Sequence, residues 1–201
     1  MPYIGNMIKF QYVYQKELAG LGDAIKYAKD FVAKDPFVVL VGDDVIVNNT
    51  KPAIKQCMDV YYKTKGCVVA IKEVNKKDIS KYGCVEPDSK MKNNYVGLKS
   101  LVEKPSVKEA KSNLAMIGRF VLTNDIFAAL NKVKRDKSNE IQLTEAINNL
   151  LPKHKVYACK VDGNRYDIGD RLGLVKATLD FALADKEMSK AIKQYIRTKK
   201  L

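Results

Sequence analysis

Acidic and glycine-bearing stretches at the ends of apolar runs are where this sequence could do chemistry. Gly42-Asp43-Asp44 closes the apolar, β-branched run Phe37–Val41. In an open α/β sheet, ligands bind beyond the carboxyl ends of the strands. Two acids placed there can hold a hard cation such as Mg²⁺, which takes oxygen ligands; the same tripeptide also suits a plain strand-to-loop turn. Leu101-Val102-Glu103-Lys104-Pro105 ends another apolar run. In a regular strand Glu103 and Lys104 would face opposite sides. Pro105 ends the strand, which lets both turn toward one ligand. A carboxylate for hydroxyls beside an ammonium for phosphate is what a sugar phosphate requires, and an exposed ion pair at a strand end has the same spelling.

Two further stretches complete the set. Gln15 precedes Gly20 and Gly22, which sit where a strand passes into a helix. Bare backbone at such a place admits a flat base or a phosphate. The stretch has neither the three-glycine dinucleotide fingerprint nor the GK[ST] ending of a phosphate loop, so a turn explains it equally well. Gly163 to Asp170 carries Asp167, which is placed to be a second metal ligand or a turn acid, and Asp170, which is placed to cap the following helix. The single histidine, His154, reads as a surface residue beside Pro152.

The elements that position these residues follow from apolar periodicity. Phe10–Tyr14 reads as a short strand. Ile25, Ala28 and Val32 fall at helical spacing up to Pro36. Phe37–Val41 has the continuous apolar character of a strand buried on both faces. Thr50 is placed to cap a helix with Pro52 in its first turn and Ile54, Cys57, Met58 and Tyr61 on one face. Cys67–Val74, Tyr95–Glu103, Leu114–Leu122 and Val156–Val161 read as strands. Asn124 to Leu130 and Ile141–Leu151 read as helices, as does a stretch capped by Asp170 with Leu172, Val175, Leu179 and Leu183 on one face. A last amphipathic helix carries Met188, Ile192, Tyr195 and Ile196. Strands alternating with helices early in the chain predict an α/β sheet with helices on its faces and a mixed or antiparallel part in the middle.

A length of 201 residues suffices for one domain with a real core, and 46% hydrophobic with 29% charged residues is ordinary for a globular chain. The net charge of +13 favours acidic partners without choosing among them. The basic residues are scattered and no basic-aromatic stripe interleaves them, which argues against a nucleic-acid partner. Cys57, Cys67, Cys84 and Cys159 form no CxxC pair, which argues against zinc and against a disulfide framework, and makes a reducing cytoplasm the natural setting. No apolar run has the length needed to cross a bilayer, and the first ten residues do not spell a signal peptide.

Taken together and in order, QKELAGLGDAI, FVVLVGDDVI, VEKPS, SNLAMIGRFVLT, NEIQLTEAI and GNRYDIGDRLG resemble the bacterial and archaeal UTP–glucose-1-phosphate uridylyltransferases. The likeness runs from about Phe10 to the C-terminal helix. RYDIG, in place of a WLDTG-like spelling, favours this branch over glucose-1-phosphate thymidylyltransferases, the alternative enzyme. The resemblance implies a Rossmann-like nucleotidyltransferase sheet, one domain over 1–201, and UTP and glucose 1-phosphate as substrates. It also implies roles. Gln15 and the backbone of Gly20 and Gly22 would hold the uracil. Asp43 would bind Mg²⁺ with Asp167 as second ligand. Glu103 would bind glucose hydroxyls and Lys104 the sugar phosphate, making Asp43 and Lys104 the catalytic pair. Gly83 and Gly118 would present backbone groups to the sugar; Arg119 and Glu140 lie in the motifs without an assigned role. Family members open with a strand and a GxGTR…PK loop that wraps the triphosphate, and these 201 residues contain no such stretch. The expectation is a domain incomplete at its N-terminus and a poor catalyst alone. Its partner would be a second copy in a homo-oligomer or a chain supplying the N-terminal half; the alternative is a remnant that binds a sugar phosphate or a partner chain without turnover.

Overall fold

The computed structural model describes residues 8–199, and its first regular element is reached only at Gly20. Phe10–Tyr14 is exposed coil, not the expected strand: it joins neither sheet, and an isolated extended segment has no ladder to hold it. Helix α1 (Gly20–Lys26) and the single turn α2 (Lys29–Val32) replace the one helix expected here, and Ala33 turns the chain with a φ of 47°. Strand β1 (Phe37–Leu40) follows, then β2 (Asp44–Val47), helix α3 (Ala53–Thr64), β3 (Cys67–Glu73), β4 (Cys84–Pro87), β5 (Tyr95–Val102) and β6 (Leu114–Leu122). Helices α4 (Asp125–Leu130) and α5 (Leu143–Leu150), strands β7 (Val156–Lys160) and β8 (Asn164–Asp167), and helices α6 (Arg171–Ala184) and α7 (Lys186–Thr198) complete the chain.

Six strands form one mixed sheet in the order β1-β6-β3-β7-β5-β4, with β3 and β7 parallel and β6 antiparallel to β1 and β3. Alternation along β3 shows how the layers form. Cys67, Val69 and Ile71 face a core shared with α1, α4 and α5, while Val68 and Ala70 face a second core under α3. A pleated strand sends successive side chains to opposite faces, so apolar residues at every position require a helical layer on each side. Phe120, Leu122, Ile126, Leu130 and Ile147 are fully buried in the larger core, and burial of side chains of this size contributes roughly 1.5–3 kcal/mol each. The α/β reading, with helices on both faces and a mixed sheet, describes this architecture.

Strand β1 departs from expectation. It is a terminal strand, with Phe37 and Val39 against the core but Val38 and Leu40 41% and 54% exposed. Continuous apolar spelling did not distinguish this edge from a central strand. Thr50 does not cap α3. Asn48 instead accepts the N–H groups of Thr50 and Lys51 through its side chain, and Pro52 occupies the cap position. Asp170 does cap α6, accepting the Gly173 N–H at 2.9 Å. The apolar face expected for α6 lies outward: Leu172, Val175, Leu179 and Leu183 are exposed, whereas Ala177 and Ala182 are buried. The helix packs through small residues, and a Cβ at Gly173 would meet the Asp167 carbonyl at 1.9 Å.

Strands β2 and β8 form a separate two-stranded antiparallel ladder, register Asp44↔Asp167 to Val47↔Asn164. This small ladder brings the stretch around Asp167 against the loop that leaves β1.

Candidate active site

The loop after β1 is fixed by the strand beside it. Val41 donates its N–H to the Gly118 carbonyl at 2.9 Å. Arg119 Nη1 donates to the carbonyls of Val41 (3.1 Å) and Gly118 (2.8 Å), and Nη2 to that of Asp44 (2.5 Å). A planar guanidinium with several fixed donors suits this triple carbonyl clip. The two acids it frames then diverge. Asp44 is 4% exposed; its Oδ2 accepts the Gly118 N–H at 2.6 Å and its Oδ1 the Arg165 Nε at 2.5 Å. A buried carboxylate needs such pairing, and Asp44 is spent on holding Gly118 and Arg165 inside the protein rather than turned to solvent. Of the two acids in Gly42-Asp43-Asp44, only Asp43 has an exposed side chain.

Asp167 ends β8 and meets Asp43. Ile168 donates its N–H to the Asp43 carbonyl at 2.8 Å. A Cβ built on Gly169 would lie 3.0 Å from Asp43 Oδ2 and 3.4 Å from Asp167 Oδ1, so both carboxylates flank Gly169. The other oxygen, Asp167 Oδ2, accepts Arg165 Nη2 at 3.2 Å. Two neighbouring carboxylates with hard oxygens fit a divalent cation whose remaining positions would be filled by phosphate and water oxygens. Among the described residues no group of three or more His, Cys, Asp or Glu surrounds them.

Tyr82 and Gly83 connect this acidic side to a second cluster. The Tyr82 ring stacks under Arg165 at 4.9 Å, and its carbonyl accepts the Lys104 N–H at 3.1 Å. Burial works against the charge of Arg165, but Asp44 and Tyr82 outweigh it and hold the guanidinium above its ordinary pKa. Lys104 has a φ of 41° and an exposed side chain. Glu103 turns the other way: its Oε2 lies 3.4 Å from a Cβ built on Gly83, whose own neighbours include Thr144 at the start of α5. Burial raises the Glu103 pKa, and nearby Glu140 and Asp136 add to the rise, against the lowering pull of Lys104 and Thr144.

The glycines divide into kinds that their spelling did not separate. Gly83 sits beside Glu103 as described. Gly118 does not offer its backbone to a sugar: its N–H goes to Asp44 and its carbonyl to Val41 and Arg119, and a Cβ there would meet Val41 Cβ at 2.7 Å. Gly22 likewise donates its N–H to the Ile141 carbonyl at 3.0 Å, and its glycine serves close packing. Gly20 has a φ of 85°, which favours glycine. Gln15 reaches across this turn, donating to Asp23 Oδ2 at 2.9 Å and to the Gly20 carbonyl at 3.4 Å. A Cβ on Gly20 would touch Glu140 Cβ at 2.9 Å, which places the Asn139–Gln142 stretch against the Gln15–Gly22 turn.

Sequence reading missed Arg165, Tyr82 and Thr144. The available signal for Arg165 was its alternation with Asp167, since residues two apart in a strand share a face.

The nucleotidyl transferase family model matches residues 3–183. A UTP–glucose-1-phosphate uridylyltransferase of Staphylococcus epidermidis is 46% identical over 197 residues, which is 98% of this chain and 68% of that protein. The enzyme of the same name from Staphylococcus haemolyticus is 43% identical over the same shares. A crystal structure of UDP-glucose pyrophosphorylase complexed with UDP-glucose superposes with a TM-score of 0.84 at 36% identity, covering 88% of this chain and 67% of that one. The chain thus spans about two thirds of the length of these relatives.

Proposed function

We propose that this chain, which belongs to the nucleotidyl transferase family, transfers a uridylyl group from UTP to glucose 1-phosphate. The phosphate oxygen of glucose 1-phosphate attacks the α-phosphorus of UTP, the bond from that phosphorus to the bridging oxygen breaks, and pyrophosphate leaves as UDP-glucose forms. The observation that carries this reading is the 46% identity, over 98% of the chain, to a uridylyltransferase. Thymidylyl transfer to the same sugar phosphate has no comparable support among these relatives.

The residue roles are those the family resemblance implies, fitted to this geometry. Asp43 and Asp167, whose carboxylates both lie beside Gly169, would together hold Mg²⁺. The bound ion would neutralise phosphate charge as a Lewis acid. Lys104, exposed at its strand end, is available to the sugar phosphate. Glu103, between Gly83 and Thr144, accepts hydrogen bonds from glucose hydroxyls. The turn from Gln15 to Gly22, backed by Asn139–Gln142, receives the uracil. Gly22 shapes this turn without donating to the base.

The test is an assay of pyrophosphate release from UTP, glucose 1-phosphate and Mg²⁺, with dTTP in parallel, alongside calorimetry with UDP-glucose. UTP-dependent release, or UDP-glucose binding that requires Mg²⁺, supports the reading. A clear preference for dTTP overturns it in favour of thymidylyl transfer. Binding of glucose 1-phosphate with no response to any nucleotide reduces the chain to a sugar-phosphate binder.

A further inference from the structure

Arg165 has no role in the reaction as drawn above, yet it is anchored on three sides. Its Nε meets Asp44 Oδ1 at 2.5 Å, Nη1 meets Tyr82 Oη at 3.3 Å, and its Cζ lies over the Tyr82 ring, 4.9 Å from the centroid. Both anchors are themselves held: Asp44 by the Gly118 N–H at 2.6 Å and Tyr82 by the Lys104 N–H on its carbonyl at 3.1 Å. The remaining arm, Nη2, ends on Asp167 Oδ2 at 3.2 Å. With its side chain only 16% exposed, the guanidinium cannot swing freely.

We infer that Arg165 is a positioning residue, which takes one oxygen of Asp167 and leaves the other, on the side of Gly169 and Asp43, for a divalent cation; this rests on the function proposed above. The arrangement has two physical consequences. Asp44 and Asp167 stand directly opposite in the β2–β8 ladder, where like charges repel, and Arg165 compensates both. Because Oδ2 is occupied, Asp167 binds a cation through Oδ1 alone. Lysine cannot replace the fork: a single ammonium does not bond two carboxylates in one plane while stacking on an aromatic ring. Groups that orient metal ligands typically change metal affinity by about 10–100-fold when lost.

The experiment measures Mn²⁺ binding in the presence of UTP by the loss of the free-ion electron paramagnetic resonance signal, with thermal melting as the check on folding. The proteins are wild type, Arg165→Lys, Asp167→Asn and the double variant. Expected are a roughly tenfold or larger rise in half-saturating Mn²⁺ for Arg165→Lys, and no further rise when it is added to Asp167→Asn, because both changes remove one oxygen from the site. If Arg165→Lys does not fold, Tyr82→Leu serves, since it removes the stack and keeps both ion pairs; a several-fold rise is expected. Wild-type affinity in the folded Arg165→Lys or Tyr82→Leu protein overturns the inference, as do losses that multiply in the double variant. Calorimetry with UDP-glucose separates the two levels: wild type that ignores UDP-glucose with and without Mn²⁺ overturns the functional reading and this inference with it. Wild type that binds UDP-glucose beside an unaffected Arg165→Lys overturns the inference alone.

Discussion

Asp44 and Asp167 are direct cross-strand partners in the β2–β8 ladder, and only one of them is open to a ligand. Asp44 is closed by Gly118 and Arg165, whereas Asp167 keeps one oxygen beside Asp43. The adjacent acids Asp43 and Asp44 should therefore respond oppositely to substitution. Asp43→Asn is expected to abolish the Mg²⁺ dependence of UTP or UDP-glucose binding while leaving the denaturation midpoint within experimental scatter. Asp44→Ala strands Arg165 without its buried partner and should cost about 3–5 kcal/mol of stability. Urea denaturation and calorimetry on both variants check the contrast; equal destabilisation by the two would contradict it.

Lys104 and Glu103 are neighbours in sequence that face different surroundings, one solvent and the other Gly83 and Thr144. Lys104→Ala should weaken glucose 1-phosphate binding by roughly 1.5–3 kcal/mol, the worth of a charge-assisted hydrogen bond, and leave UTP binding nearly unchanged. Calorimetric titration of each substrate separately decides this. A larger loss for UTP than for glucose 1-phosphate would reverse the assigned roles.

Gly22 lies where α1 meets the Ile141 backbone, and a Cβ there would sit 2.5 Å from the Ile141 carbonyl oxygen and 3.0 Å from Leu130 Cδ2. Neither neighbour can yield cheaply, because one is backbone and the other is core. Gly22→Ala is expected to destabilise by roughly 1–3 kcal/mol, as overpacking does, read as a lower urea midpoint at unchanged slope. Gly42→Ala is the control, since nothing lies within 4 Å of its Cβ position. Equal stability of the two variants would refute the packing role.

What the sequence made legible follows local physics. Strands β3 and β6 stand out because they are long apolar runs, and α6 because Asp170 precedes it. Strands β2 and β8 did not stand out. Each has four residues and mixed polarity, and the partner of each lies far along the chain. The site suffered in the same way. Asp43 and Asp167 could be proposed from their loops, but nothing local tells that Arg165 reaches Asp44. Glycine is ambiguous for a related reason: a residue that admits a ligand and one that admits a neighbouring backbone have the same letter. Gly22 and Gly118 proved to be of the second kind.

Glu103 gives a prediction in pH. Burial is the main cause of its raised pKa, with Glu140 and Asp136 adding and Lys104 and Thr144 opposing. A carboxyl whose pKa is higher folded than unfolded binds more protons in the native state over the interval between the two values. Stability from this group is therefore lost as pH rises from the unfolded value through the folded one. Glu103→Gln removes the titration, so the variant should gain on the wild type across that window and hold the gain at neutral pH. Ligand binding runs the other way, because only the ionised carboxylate accepts hydrogen bonds through both oxygens. Affinity for glucose 1-phosphate should fall as pH drops into the same window, and that inflection should vanish in Glu103→Gln, which binds weakly throughout. Two pH series on each protein, urea midpoints and sugar-phosphate titrations, measure both arms. A wild-type binding inflection that persists in Glu103→Gln would assign the titration to another group, most directly the phosphate of the ligand itself. A stability difference that grows as pH falls below the glutamate range would mean that the Glu103 pKa is lowered, with Lys104 dominating over burial.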